Sequence, residues 1–310
     1  MLRPLALLPF LVSLALMAVA PAPAGAADRI GIADQEARMF SNPFFRTLDV
    51  QISRLIVSYD AILSGTFEVA EVDAWMRAAR AARVEPLITF GHSRGCYDGE
   101  RILDRKACRL PSVARYANAF EAFRDRYPDV DVYSPWNEIN HRSQPTARHP
   151  KRAAEFYNLV RRRCEGCTVV AADILDQAGM ASYLRAFQRY ARGAPRLWGL
   201  HNYRDTNNAT TAGTRRMLRL VKGRVWLTET GGIVKFGRGR PYNPERAARA
   251  TRFMFRLAGS SARITRLYIY SWSGQERCRR FDAGLTTPGG RPRAAYHVCL
   301  LYTSPSPRDS

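Results

Sequence analysis

The chain has 310 residues, 46% of them hydrophobic, which is enough to bury the core of one large domain and excludes a disordered or fibrous protein. Lys and Arg number 48 against 27 Asp and Glu, a formal charge of +21, yet arginines run through every segment and lysine occurs only at Lys106, Lys151, Lys222 and Lys235. With no localised basic patch and no nucleic-acid-binding signature, the charge does not mark a nucleic-acid partner, whereas an acidic polymer stays open as one.

In chain order, the first segment is MLRPLALLPFLVSLALMAVAPAPAGAA. Arg3 precedes an apolar run from Leu5 to Ala20, followed by Pro21, Pro23 and Ala24-Gly25-Ala26. This is the layout of a secretory leader with a small-residue cleavage site, expected over residues 1–27 and implying a secreted, extracellular protein. No later segment is apolar enough to span a bilayer, so no membrane association is expected once the leader is cleaved. Six cysteines in an exported chain favour disulfides. Proximity pairs Cys96 with Cys108, Cys164 with Cys167, and Cys278 with Cys299. A zinc site at Cys164-Glu165-Gly166-Cys167 has no second soft pair to complete it.

From Asp28 onward, short β-branched and aromatic runs alternate with longer amphipathic stretches, the pattern of βα units around a parallel sheet. Strands are expected at residues 29–33, 53–59, 85–90, 131–136, 168–173, 196–203, 224–229 and 265–272. Helical patterns occupy 69–83, 111–127, 151–163, 180–192, 211–222 and 243–259, and Pro111 and Pro244 sit near helix starts, where a missing N–H is harmless. Eight such units predict an α/β protein with a (β/α)8 TIM barrel, in one catalytic domain over residues 28–300. A doubly wound sheet would carry a Gly-rich phosphate turn after the first strand, and IGIADQEARMF has none. The eighth helix begins at RAAYHVCLL and is cut short by LYTSPSPRDS, so residues 301–310 are expected to be a disordered or non-native tail.

In such a barrel the strand C-terminal ends gather at one mouth, where active sites form. The ends here supply Asp34, Arg54, Tyr59, His92, Asn137, Glu138, Asp173, His201, Tyr203, Glu229 and Trp272. Glu138 closes the fourth strand in SPWNEINH and Glu229 the seventh in WLTETGG, which sets two carboxylates across the mouth. Such a pair can cleave a glycosidic bond, one as proton donor and one as nucleophile, at a spacing of about 5 to 5.5 Å for net retention.

Asn-Glu at the end of the fourth strand and Thr-Glu at the end of the seventh resemble the paired motifs of the clan A glycoside hydrolases. These retaining (β/α)8 enzymes include β-xylosidases, cellulases, mannanases and endo-β-1,3-glucanases. The similarity runs from Arg54 through DAGLTTPGGRPRAAYHV. It implies Glu138 as acid/base and Glu229 as nucleophile, with Asn137 on the sugar 2-hydroxyl and Arg54 and Tyr203 holding the nucleophile ionised. It further implies His201 lining the site and Trp272 as the floor of the subsite. His92 and His141 are added as substrate contacts from their positions at the mouth. Ile139-Asn140-His141 departs from the clan, where Pro commonly follows Asn-Glu. The expected protein is a monomer that cleaves a polysaccharide or oligosaccharide without cofactor or metal. Two alternatives are a glycan-binding barrel without catalysis, and a metal-dependent hydrolase or deacetylase using His92, His141 and His201 with Asp34 or Asp173.

Overall fold

The computed structural model describes residues 29–97, 103–276 and 279–303. The expected leader, Cys278 and residues 304–310 therefore lie outside the described residues. The strands are β1 (Arg29–Ala33), β2 (Ile52–Ser58), β3 (Glu85–Gly91), β4 (Val132–Ser134), β5 (Thr168–Val169), β6 (Asp173–Leu175), β7 (Leu197–His201), β8 (Arg224–Thr230), β9 (Lys235–Phe236), β10 (Ile264–Tyr270) and β11 (Phe281–Asp282). The helices are α1 (Pro43–Arg46), α2 (Ala61–Ser64), α3 (Glu68–Ala81), α4 (Val113–Arg126), α5 (Pro150–Arg163), α6 (Met180–Gln188), α7 (Tyr203–Asn208), α8 (Ala212–Leu220), α9 (Pro244–Ala258) and α10 (Ala294–Thr303).

Nine strands form one parallel sheet in the order β5-β4-β3-β2-β1-β10-β8-β7-β6. Its two edges are consecutive pieces of the expected fifth strand. Thr168 and Val169 pair with β4, while Asp173 to Leu175 pair with β7. Between them the Val170 N–H donates to the Tyr133 carbonyl at 2.8 Å and the Ala171 N–H to that of Leu197 at 2.9 Å. One stretch of chain thus stitches both edges and closes an eight-stranded barrel, leaving no edge of this sheet unpaired.

The helices form where the sequence places caps and apolar stripes. Val72, Trp75, Met76 and Ala79 recur on one buried face of α3, the spacing of a helix laid against a core. Ser112 caps α4 by accepting the Arg115 N–H, and Asn243 caps α9 by accepting that of Arg246, with Pro244 following as the first helical residue. One expectation needs correction. β7 stops at His201, and Tyr203 opens a short helix instead of extending the strand. The buried Asp176 carboxylate accepts the backbone N–H groups of Arg204 and Asp205, and this cap, supplied from 28 residues upstream, fixes the turn. In addition, β9 and β11 form a two-stranded antiparallel ribbon too short to stand out from sequence.

The barrel interior is layered. At the N-terminal end Glu85 bonds Arg29 and Arg266, and the Arg266 guanidinium lies 4.2 Å from the centroid of the Trp226 ring. Above lie Ile52, Leu87, Val132, Val170 and Tyr268, all buried. The next layer is polar, built on Arg54 and Asp173, both fully buried. Gly199 makes room for it, because a Cβ there would lie 2.0 Å from the Asp173 Oδ1.

Cys96 is bonded to Cys108 and Cys164 to Cys167, while buried Cys299 has no disulfide among the described residues, its expected partner, Cys278, lying outside them. The Cys96–Cys108 bond closes a loop across a sequence separation of 12, beside the mouth. Replacing both cysteines by serine should lower unfolding free energy by about 2 to 3 kcal/mol. Urea titration at constant slope checks this, and an unchanged midpoint would contradict it.

Candidate active site

Arg54 projects from β2 into the upper barrel layer and is completely buried. Its Nη1 donates to Glu229 Oε2 at 2.7 Å, its Nη2 to Asn137 Oδ1 at 2.7 Å and Asp173 Oδ2 at 3.1 Å, and its Nε to Thr89 Oγ1 at 3.0 Å. Burial disfavours the charge, but Asp173 and Glu229 more than compensate and raise its pKa. Asp173 is buried too; the Arg54 charge and bonds from His201 and Thr228 outweigh that burial and hold its carboxyl well below the usual range. Tyr203 completes the shell of Glu229, its hydroxyl donating to Oε1 at 3.0 Å. Burial and the neighbouring Glu229 keep that phenol well above its ordinary pKa, so it remains a donor.

Glu138 follows β4 with φ of +42°, in the left-handed region where a residue with a Cβ is strained. The flanking residues pin this turn. The Asn137 N–H donates to the Phe90 carbonyl at 2.6 Å and the Ile139 N–H to that of Asp173 at 3.0 Å. Asn140 grips the backbone of Leu175 with both ends of its amide, at 2.9 and 3.0 Å. Ile139-Asn140-His141 thus gives one core residue, one clamp to the neighbouring strand and one imidazole, with His141 Nδ1 3.6 Å from Glu138 Oε2.

His201 sits beneath the two glutamates, its Nδ1 3.2 Å from Glu138 Oε1 and 3.8 Å from Glu229 Oε2. Burial opposes its charge, but Glu229, Asp173 and Glu138 outweigh it and raise its pKa from 6.5 to about 9. In return, although burial works the other way, the His201 hydrogen bond and charge, with His141 and Arg54, hold Glu138 below its ordinary value. One oxygen of Glu138, a ring nitrogen of His201 and one oxygen of Glu229 lie within 4.8 Å of one another.

Both glutamates open into a cleft of about 660 Å³, where His92, Asn137, His141 and Tyr203 also line the wall. Arg54, expected to hold the nucleophile ionised, is sealed below the cleft and bonds Glu229, while His201, expected to line the site, is sealed there too and touches both carboxylates from beneath. Trp272 does not floor the cleft. It is 2% exposed and packs edge-on against Phe45 and Tyr296 between barrel and helices. The aromatic at that strand end is Tyr270, which forms a wall with Phe281 and Phe236 of the β9–β11 ribbon. Strand alternation through Arg266, Tyr268 and Tyr270 carries the signal for this residue, whereas nothing in the sequence announces the ribbon. His92, His141 and His201 do not converge as a metal site, since His92 Nδ1 faces the Ser93 carbonyl at 3.0 Å and His141 Nδ1 the Ser143 hydroxyl at 2.7 Å. Among the described residues the group that could hold an ion is Glu138, His201 and Glu229, and there the Arg54 guanidinium already occupies a Glu229 oxygen.

This architecture matches solved structures over about nine-tenths of the chain. The likeness is one of fold, the parallel α/β barrel that these glycoside hydrolases share. A GH5_18 enzyme from Streptomyces cattleya, crystallised with GlcNAc, aligns with a TM-score of 0.66 at 14% identity, covering 92% of this chain and 83% of that one. A GH10 endoxylanase from a sugarcane soil metagenome aligns at 0.63 and 11% identity, covering 90% and 97%. A family 39 glycoside hydrolase from the gut symbiont Bacteroides cellulosilyticus WH2 aligns at 0.56 and 14% identity over 90% of this chain, which spans 64% of that protein's length. No family model and no curated protein matches the sequence.

Removing the guanidinium in Arg54→Ala strands buried Asp173 and Glu229, and should destabilise the fold by about 3 to 5 kcal/mol, read from the denaturation midpoint. A loss below about 1 kcal/mol would show that the buried charges are compensated elsewhere. His201 has a raised folded-state pKa, so its contribution is fully present below 6.5 and is lost as pH rises through about 9. Stability should therefore decline between those values, by an amount on the order of 3 kcal/mol, and His201→Gln should flatten the decline in thermal melts. An identical slope in the variant would refute this assignment.

Proposed function

We propose that this protein is an exported, retaining glycoside hydrolase acting on a polysaccharide or oligosaccharide, with Glu229 as nucleophile and Glu138 as acid/base. The observation that carries the reading is the approach of a Glu138 oxygen and a Glu229 oxygen to within 4.8 Å at the base of an open cleft. Retaining enzymes place these groups about 5 to 5.5 Å apart, whereas inverting enzymes leave about 6.5 to 9.5 Å for an intervening water.

The surroundings support the division of labour. Arg54 and Tyr203 bond one oxygen each of Glu229, fixing its orientation for attack on an anomeric carbon. Asn137 gives its carbonyl oxygen to Arg54, which among the described residues leaves its amide N–H groups free for a sugar hydroxyl. In the free site Glu138 is ionised beside protonated His201. A sugar ring over Glu138 excludes water and disfavours that charge, so the His201 proton crosses 3.2 Å to Glu138, which then protonates the departing oxygen. After the covalent intermediate forms, Glu138 is ionised again and activates the water that releases the sugar. Tyr270 and Phe281 offer aromatic faces to the sugar's C–H side. Export is supported by the leader pattern and by two disulfides outside the catalytic pair.

Glu229→Ala should abolish turnover of activated aryl β-glycosides. Glu138→Ala should lose about 10² to 10⁴-fold on poor leaving groups, lose much less on dinitrophenyl glycosides, and regain turnover with azide. Wild-type turnover in either variant would sink the assignment. Glycan binding without turnover in the unmodified protein would favour a non-catalytic barrel.

A further inference from the structure

The chain's excess of 48 basic over 27 acidic residues leaves some arginines unpaired somewhere, so the informative question is where they lie. Three of them, Arg142, Arg204 and Arg280, line the catalytic cleft. They come from different sectors of the mouth: Arg142 from the loop after β4, Arg204 from α7 after β7, and Arg280 from the segment entering β11. Among the described residues none of the three is ion-paired with a carboxylate, and the Arg280 guanidinium lies 5.1 Å from the centroid of the Phe236 ring, a contact that keeps its charge available. The cleft's own carboxylates are already engaged. Glu229 is held by Arg54 and Tyr203, Glu138 faces His201 and His141, and Asp176 accepts two backbone N–H groups. The charge offered to an incoming chain is therefore positive on several sides, in a concavity that focuses it.

Resting on the glycosidase reading above, we propose that the cleft takes an acidic glycan, whose carboxylate or sulfate groups seat against Arg142, Arg204 and Arg280 on either side of the bond that is cut. Guanidinium groups bind such anions through paired N–H donors, which gives geometry as well as charge. The aromatic wall of Phe236, Phe281 and Tyr270 serves the apolar faces of the rings, so Arg280 over Phe236 reads an anionic substituent and a ring face at one place.

The test uses the full chain and matched pairs of oligosaccharides that share a backbone: xylo-oligosaccharides with and without glucuronate, cello-oligosaccharides with and without oxidised C6 carboxylates, and galacto-oligosaccharides with and without sulfate. Within whichever backbone is cleaved, kcat/KM should favour the acidic member by about tenfold or more at low salt. That advantage should shrink as ionic strength rises from about 10 to 150 mM. The carboxylate and sulfate arms tell the two anions apart. Arg142→Gln, Arg204→Gln and Arg280→Gln should each reduce the acidic-to-neutral ratio severalfold. A neutral member cleaved as well as its acidic partner, or a ratio insensitive to all three substitutions, overturns the acidic-substrate inference and leaves the glycosidase reading standing. If no pair is cleaved or bound, the glycosidase reading fails and this inference falls with it.

Discussion

The upper half of the barrel depends on one buried cation. Arg54 bridges Glu229, Asn137, Asp173 and Thr89, residues from four different strands or strand ends, with no solvent to share the load. A guanidinium is suited to this because its five donors lie in one rigid plane and its charge persists when buried. Asp173 is the counterweight. It sits beside the same nitrogen, accepts from Thr228 at 2.7 Å, and fits only because Gly199 has no side chain. Taken together, the fully buried pair orients the base of the cleft while Glu229 and Asn137 reach upward from it.

Barrel closure and the geometry of the candidate site meet in the same stretch of chain. The segment from Thr168 to Leu175 pairs first with β4 and then with β7, so it draws Glu138, which follows β4, towards His201, which ends β7. Asn140 repeats the stitch from the other side by gripping Leu175. A left-handed turn at Glu138 is costly in isolation, and these bonds on both flanks hold it in place. The charges there are shared across three carboxylates and two cations, Glu138, Glu229 and Asp173 against Arg54 and His201. A change at any one of them is felt by the others.

Much of this was legible in the sequence, for identifiable reasons. Strands of a closed parallel barrel are covered on both faces, so they appear as dense β-branched and aromatic runs, and all eight were placed within a few residues. Glu138 and Glu229 stood out because a strand end fixes which way a residue faces. Features made by distant contacts were hidden. The helix at Tyr203 depends on Asp176, the β9–β11 ribbon is two residues wide on each side, and the burial of Arg54 and His201 beneath the cleft depends on neighbours from other strands. Trp272 shows a different kind of failure. Its size and its place in the motif pointed to the sugar site, yet it lies two residues past the last paired position of β10, where the chain turns its ring into the core among Phe45 and Tyr296.

With Glu229 proposed as the nucleophile that forms the covalent bond to the sugar, mass spectrometry of the trapped intermediate is the most direct test. A 2-deoxy-2-fluoro dinitrophenyl glycoside of a sugar the protein turns over should leave one fluorosugar on the peptide containing Glu229. A label on Glu138 or on any other residue would contradict the account, as would release of product with inverted anomeric configuration.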